Sequence, residues 1–97
     1  MSNEESVILM ACLKDPQHGY DIYRQIIADT NGRVYIRPAK TYRLLVSLAQ
    51  KGLLEEIKDS DPRRKCYKIT RKGKELLEYQ ANLYHILYRE IIERLRI

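Results

Sequence analysis

The stretch of residues 37–51, RPAKTYRLLVSLAQK, constrains the fold most, because it predicts a short helix with two different faces. Proline suits the first helical turn, and the glycine at position 52 can take the left-handed conformation that ends a helix. Thr41, Leu45 and Leu48 repeat at helical spacing and predict a side that faces the core. The other side is basic and rich in hydrogen-bonding groups, as major-groove recognition requires, although a solvated surface helix has the same pattern.

Positive charge is concentrated in the middle of the chain. The net charge is +5, but residues 33–74 contain thirteen basic and four acidic side chains, whereas acids outnumber bases in residues 1–32. Such a distribution indicates a polyanionic partner, most commonly nucleic acid. An acidic membrane surface is disfavoured, because the basic region lacks the exposed aromatic or leucine-rich stripe that enters a bilayer interface.

The bulk properties limit the remaining functions. The 97 residues allow one domain with a modest core, and no apolar run is long enough for a membrane span or a signal peptide, so we expect a cytoplasmic protein without a membrane partner. Cys12 and Cys66 form no metal-ligand pattern, and neither do His18 and His85; we expect no metal and no cofactor. An enzyme is not expected, since no nucleophile–base pair, carboxylate pair or phosphate-binding glycine loop is found.

The order of the predicted elements defines a fold class. The sequence predicts, in chain order, a helix over 4–14, a helix over 20–29, a short strand over 33–36, the basic helix over 37–51, strands over 53–58 and 65–69, and a last helix over 71–96. Thr70 should cap the last helix, and the first three residues should be frayed. This order, mainly α with a small β-hairpin (α+β), is that of a winged helix-turn-helix, in which the hairpin is the wing.

The basic helix and the wing supply the candidate DNA contacts. A basic helix followed directly by a basic hairpin is stronger evidence for nucleic-acid binding than either alone. Tyr20, Tyr23 and Tyr67 are expected in the core or at its edge, whereas Tyr42 lies where it could touch a phosphate or a base. The predicted DNA-binding residues are Arg37, Lys40, Thr41, Tyr42, Arg43, Ser47, Lys51, Arg63, Arg64 and Lys65.

The last helix predicts a homodimer. Its apolar stripe is wider than the core of one small domain needs, so we expect residues 1–70 to form the DNA-binding domain and residues 71–97 to form a C-terminal dimerisation helix. A twofold dimer would place two recognition helices about 34 Å apart and would bind a pseudo-palindrome. The predicted interface residues are Leu77, Ala81, Tyr84, Leu87, Tyr88, Ile91 and Leu95.

Three segments resemble the PadR family of transcriptional regulators. They are HGYDI at 18–22, the region 38–54 with Tyr42 and the ending KGLL, and KCYKITRKGKELL at 65–77. The resemblance implies a dimeric winged-helix DNA-binding protein, typically a repressor, with base-reading residues around Tyr42 and the wing tip at residues 63–65. Lys40 and Arg43 depart from the family pattern. Some family members bind small-molecule effectors, but no residue here argues for an effector pocket.

Two other functions share these features. A plasmid or viral partition protein that spreads along DNA would have the same helix, wing and stripe, because a fold does not determine a function. A winged-helix adaptor that binds acidic proteins is a third possibility. A repressor should protect one palindrome in a footprint, a partition protein should spread beyond it, and an adaptor should show no specific DNA affinity.

Overall fold

The computed structural model describes residues 1–61 and 63–96, and over these residues it contains four helices and one three-stranded antiparallel sheet. The elements in chain order are α1 (Asn3–Ala11), β1 (Gln17–His18), α2 (Gly19–Asp29), α3 (Pro38–Gln50), β2 (Leu54–Lys58), β3 (Lys65–Ile69) and α4 (Arg71–Leu95). Helices α2 and α3 form the helix-turn-helix, and β2 and β3 form the wing. The predicted α+β winged-helix class is therefore confirmed.

The strand predicted over 33–36 is wrong. This segment is an irregular connection into α3, and it alternates because Ile36 is buried in the core while Tyr35 is exposed. The third strand of the sheet is instead β1, which pairs with β3 through Gln17 opposite Tyr67 and His18 opposite Cys66. Two residues are too few to produce a period-two pattern, so the sequence gives no strand signal at β1.

The beginning of α1 is also different from the prediction. The Ser2 hydroxyl accepts a hydrogen bond from the Glu5 amide at 3.1 Å, and the Glu5 carboxylate accepts one from the Ser2 amide at 2.9 Å. This capping box fixes the helix at Asn3, so the chain is not frayed there. The helix then ends at Ala11, three residues before the predicted end.

The junction of α3, β2 and α4 is tightly packed. Thr70 caps α4 as predicted: its hydroxyl accepts a hydrogen bond from the Gly73 amide at 3.0 Å and donates one to the Gly52 carbonyl at 2.7 Å. A Cβ at position 73 would lie 2.2 Å from the Leu53 carbonyl oxygen. Glycine is therefore required at position 73 by this close approach.

The core lies between the three N-terminal helices and the sheet. Its largest fully buried side chains include Ile8, Ile22, Leu45 and Tyr67. Helix α4 packs on this core through Leu76 and Leu77, but residues 81–91 are all exposed, and the molecule measures 57 × 27 × 21 Å. The second half of α4 therefore extends away from the domain. None of the helices in the described part of the chain is long and apolar enough to cross a membrane.

Candidate nucleic-acid interface

The core side of α3 includes one predicted DNA contact. Thr41 is only 2% exposed, and its hydroxyl donates to the Ile36 carbonyl at 3.2 Å. It lies on the same buried face as Leu45 and Leu48. Thr41 therefore cannot reach DNA while the helix remains packed, and the assignment of this residue to the interface was wrong because its position on the apolar face outweighs its polar side chain.

The solvent side of α3 presents a smaller set of side chains. Tyr42 is 52% exposed, and Arg43 and Gln50 are exposed on the same outer surface. Arg37, the N-cap residue, is exposed at the start of the helix, and Ser47 is half-buried. The accessible groups at the beginning and middle of α3 are thus a guanidinium, a phenol and a second guanidinium, which can donate hydrogen bonds to phosphates and to base edges.

Two predicted contacts point toward α1 and are ion-paired. The Lys40 ammonium lies 2.8 Å from a Glu4 carboxylate oxygen, and the Lys51 ammonium lies 3.3 Å from a carboxylate oxygen of Glu5. The Ser2 amide and, more weakly, Lys51 lower the pKa of the Glu5 carboxyl group. Exposed ion pairs contribute about 0–1 kcal/mol, so a DNA phosphate could replace either carboxylate at small cost.

The wing tip is exposed and basic. Arg63, Arg64 and Lys65 are all exposed. The Asp61 carboxylate accepts hydrogen bonds from the Arg63 amide at 2.9 Å and from its Nε at 3.3 Å, and these bonds lower the pKa of Asp61. Over the described residues, Arg64 has no ion pair, so its guanidinium is available to a phosphate. Pro62, within the predicted turn, lies outside the described residues.

The exposed side of α3 and the wing tip approach each other at Tyr42 and Lys65. The Lys65 ammonium lies 5.9 Å from the centroid of the Tyr42 ring, within the range of a cation–π interaction. Lys65 also lies 3.9 Å from a Glu56 carboxylate oxygen, and Glu56 and Tyr42 raise the pKa of its ammonium group. The helix side chains and the wing tip therefore form one continuous surface, which we call the basic face and define by Arg37, Tyr42, Arg43, Arg63, Arg64 and Lys65.

A cleft opens within the basic face, between the first turn of α2, the first turn of α3 and the wing. It has a volume of about 380 Å³ and is lined by His18, Gly19, Tyr20, Tyr23, Pro38, Tyr42, Leu45, Arg63, Arg64, Lys65 and Tyr67. The His18 Nε2 atom lies 3.2 Å from a carboxylate oxygen of Asp59. His18 is the N-cap residue of α2, but its side chain makes no capping hydrogen bond and instead joins α2 to the wing turn that follows β2.

Tyr20 was missed as a surface residue. Tyr67 is buried as expected, but Tyr20 is 67% exposed, and its ring meets Tyr23 edge-on at 5.6 Å, with the Arg24 guanidinium 5.8 Å from its centroid. Helical spacing indicates that Tyr20 is exposed. Ile22 and Ile26 define the buried side of α2, and Tyr20 lies two residues before Ile22, on the opposite side of the helix. Tyr20 extends the aromatic surface beside Tyr42.

The predicted dimer stripe lies on α4. Leu77 is half-buried against the core, and the remaining residues of the stripe are exposed, with Leu95 75% exposed. A groove of about 560 Å³ separates α4 from α1, and Val7, Met10 and Ala81 line it. The Tyr84 hydroxyl donates a hydrogen bond to the Asn3 side chain across the two helices. An apolar surface of this kind remains without cover in the single chain.

A model of a known protein family matches most of this chain, including α3 and the wing. The model of the transcriptional regulator PadR-like family matches residues 8–79, which contain the whole basic face. No curated protein sequence is significantly similar to this chain.

Solved structures have the same fold over almost the whole chain. A PadR family transcription regulator from Clostridium difficile R20291 aligns with a TM-score of 0.82 and 20% identity, over 97% of this chain and 99% of that chain. A transcriptional regulator from Clostridium thermocellum aligns with a TM-score of 0.81 and 19% identity, over 92% of this chain and 89% of that chain. Both alignments extend well into α4, so the long last helix belongs to the shared fold.

Proposed function

Because the chain belongs to the PadR-like family of transcriptional regulators, we propose that it is a sequence-specific repressor that binds double-stranded DNA as a homodimer. The observation that carries this proposal is the basic face, in which the exposed side of α3 and the wing tip meet at Tyr42 and Lys65. A DNA ligand also agrees with the cytoplasmic location expected from the sequence.

The proposed contacts divide into two classes. Tyr42 and Arg43 on the exposed side of α3 would enter the major groove, where an arginine can read guanine through two hydrogen bonds. The wing residues Arg63, Arg64 and Lys65 would contact phosphates, which position the protein without reading sequence. Lys40 and Lys51 would join the second class if phosphates replaced their carboxylate partners on α1.

The proposed dimer uses α4 and the groove beside α1. The exposed stripe from Ala81 to Leu95 and the apolar groove are adjacent, so the helix of a second copy can cover both. An isologous interface of this kind relates two basic faces by a twofold axis and requires a pseudo-palindromic site.

A footprint tests the proposal. A repressor should protect a pseudo-palindrome in the promoter of its target, and the protected length should not grow when the protein concentration rises above saturation. Protection that spreads outward would instead support the partition function. Specific and nonspecific DNA bound with equal affinity would contradict sequence-specific regulation and would favour the adaptor.

A further inference from the structure

The cleft within the basic face has the size and the lining of a small-molecule site. Its volume of about 380 Å³ lies in the range of ligand pockets, and tyrosine rings form much of its wall. Gly19 lies against this wall, where a Cβ would be in ordinary van der Waals contact with the Tyr67 ring at 3.7 Å and with Leu45 at 3.6 Å. The wall therefore suits a flat, aromatic group.

Two buried polar atoms lie at the cleft without protein partners. Tyr67 is 1% exposed, and among the described residues neither its hydroxyl nor the His18 Nδ1 atom has a hydrogen-bond partner. The Asp59 carboxylate accepts hydrogen bonds, so with a neutral ring the proton of His18 lies on Nε2 and Nδ1 is an acceptor. Buried polar atoms are normally paired, so these two indicate a ligand that brings a hydrogen-bond donor.

The rim of the cleft is cationic, in contrast to its aromatic wall. Arg64 and Lys65 line it beside Arg63, whose guanidinium is bonded to Asp61. An arginine fork and an ammonium group together match a phosphate better than a carboxylate, because a phosphate presents more acceptor oxygens and more charge. The required ligand thus has a phosphate at one end and an amino-bearing aromatic ring at the other.

We propose that the cleft binds a nucleoside 5′-monophosphate with an amino-substituted base. The base lies between the tyrosine rings, and its phosphate contacts Arg64 and Lys65. Its amino group donates to the Tyr67 hydroxyl, which a shift of the lining side chains must first expose because the atom is buried. Duplex DNA does not meet these requirements, because its bases are paired and stacked and its phosphates reach only the rim.

Occupation of the cleft would regulate DNA binding. This consequence rests on the proposed function, because Tyr42, Arg64 and Lys65 line the cleft and also belong to the proposed DNA surface. A nucleotide and a DNA duplex would compete for the same three side chains, so the nucleotide would release the protein from its site.

Calorimetry with the full chain in the absence of DNA tests the binding step. We expect AMP to bind with one site per chain, and adenosine and ribose 5-phosphate each to bind at least about 10-fold more weakly, since each lacks one half of the recognised chemistry. IMP, which has an oxo group in place of the amino group, should also bind more weakly. Equal binding of AMP and ribose 5-phosphate would overturn the proposal, because only the cationic rim would then be engaged.

The variant Tyr67→Phe tests the floor of the cleft. It keeps the buried ring and removes only the hydroxyl, so we expect AMP affinity to fall about 3- to 10-fold while circular dichroism shows an intact fold. Unchanged AMP affinity in this variant would contradict the assigned pose.

Competition on an operator fragment tests the regulatory step. We expect AMP to displace the wild-type protein, and the Tyr67→Phe variant to bind DNA normally but to need more AMP for displacement. AMP binding without displacement would overturn the competition. Because the calorimetry contains no DNA, a failure of AMP binding remains distinct from a failure of DNA binding.

Discussion

Replacement of Arg64 by glutamine should reduce the salt dependence of DNA binding. Arg64 is exposed at the wing tip and has no ion pair among the described residues, so the substitution removes a free charge and disturbs no internal contact. Each phosphate contact contributes about 0.9 to the slope of log affinity against log salt concentration. A dimer loses two contacts, and the slope should therefore fall by about 1.8.

This change in slope gives a measurable difference in affinity. Between about 50 and about 200 mM salt, a fourfold increase, a slope difference of about 1.8 changes the ratio of wild-type to variant affinity by about 12-fold. Fluorescence anisotropy with a labelled duplex, repeated at four or five salt concentrations, measures both slopes. The wild-type advantage should be largest at low salt.

A matched control uses an arginine that lies far from the basic face. Arg89 is exposed on the second half of α4, about 27 Å along the helix from its first residue. Arg89→Gln removes the same charge and should leave the slope near the wild-type value, provided sedimentation shows an unchanged dimer. Equal slopes for wild type and Arg64→Gln would exclude the wing from the DNA interface, and equal reductions in both variants would attribute the effect to net charge.

Three further changes test the dimer, the packing and the buried thiol. Ile91→Asp should convert the protein to a monomer in sedimentation at micromolar concentration, whereas Tyr79→Asp, on the opposite side of α4, should not; a dimeric Ile91→Asp variant would refute the α4 interface. Gly73→Ala should lower the melting temperature, because its methyl group would overlap the Leu53 carbonyl at a cost of about 1–3 kcal/mol, and an unchanged melting temperature would show that the junction relaxes. Burial raises the pKa of Cys12 from 9.0 to about 12, so above pH 9 the folded state retains a proton that the unfolded state releases. The contribution of Cys12 to stability is complete below pH 9 and should fall by about 1.4 kcal/mol per pH unit toward pH 12. In alkaline denaturation curves, Cys12→Ala should remove this share of the loss, and identical curves for the two proteins would contradict the raised pKa of Cys12.

The elements with strong local signals were predictable from the sequence. Strand β3 has the predicted bounds, and α4 begins after Thr70 as expected, because a cap residue and a period-two pattern depend only on near neighbours. Helix α3 lies within one residue of its predicted ends for the same reason. By contrast, β1 depends on its pairing with β3, about 50 residues away, and no local pattern indicates it.

The candidate interface was less predictable than the fold. Thr41 was assigned both to the core face and to DNA, and only burial decides between the two. Spacing along the chain also does not reveal that Lys51 pairs with Glu5, which lies 46 residues earlier. The cleft within the basic face likewise cannot be recognised in the sequence, because its lining combines side chains of α2, α3 and the wing.

Helix α1 contacts both proposed interfaces, the DNA-binding surface and the dimer surface. Its first turn holds Lys40 and Lys51 through Glu4 and Glu5, while its apolar side forms the groove that faces the exposed stripe of α4. DNA phosphates that capture the two lysines must release the two carboxylates, and each exchange replaces an ion pair worth about 0–1 kcal/mol with a charge-assisted phosphate contact. The carboxylates then stand close to the DNA and repel it, so Lys40 and Lys51 should contribute less to affinity than Arg64, which reaches a phosphate without giving up a partner.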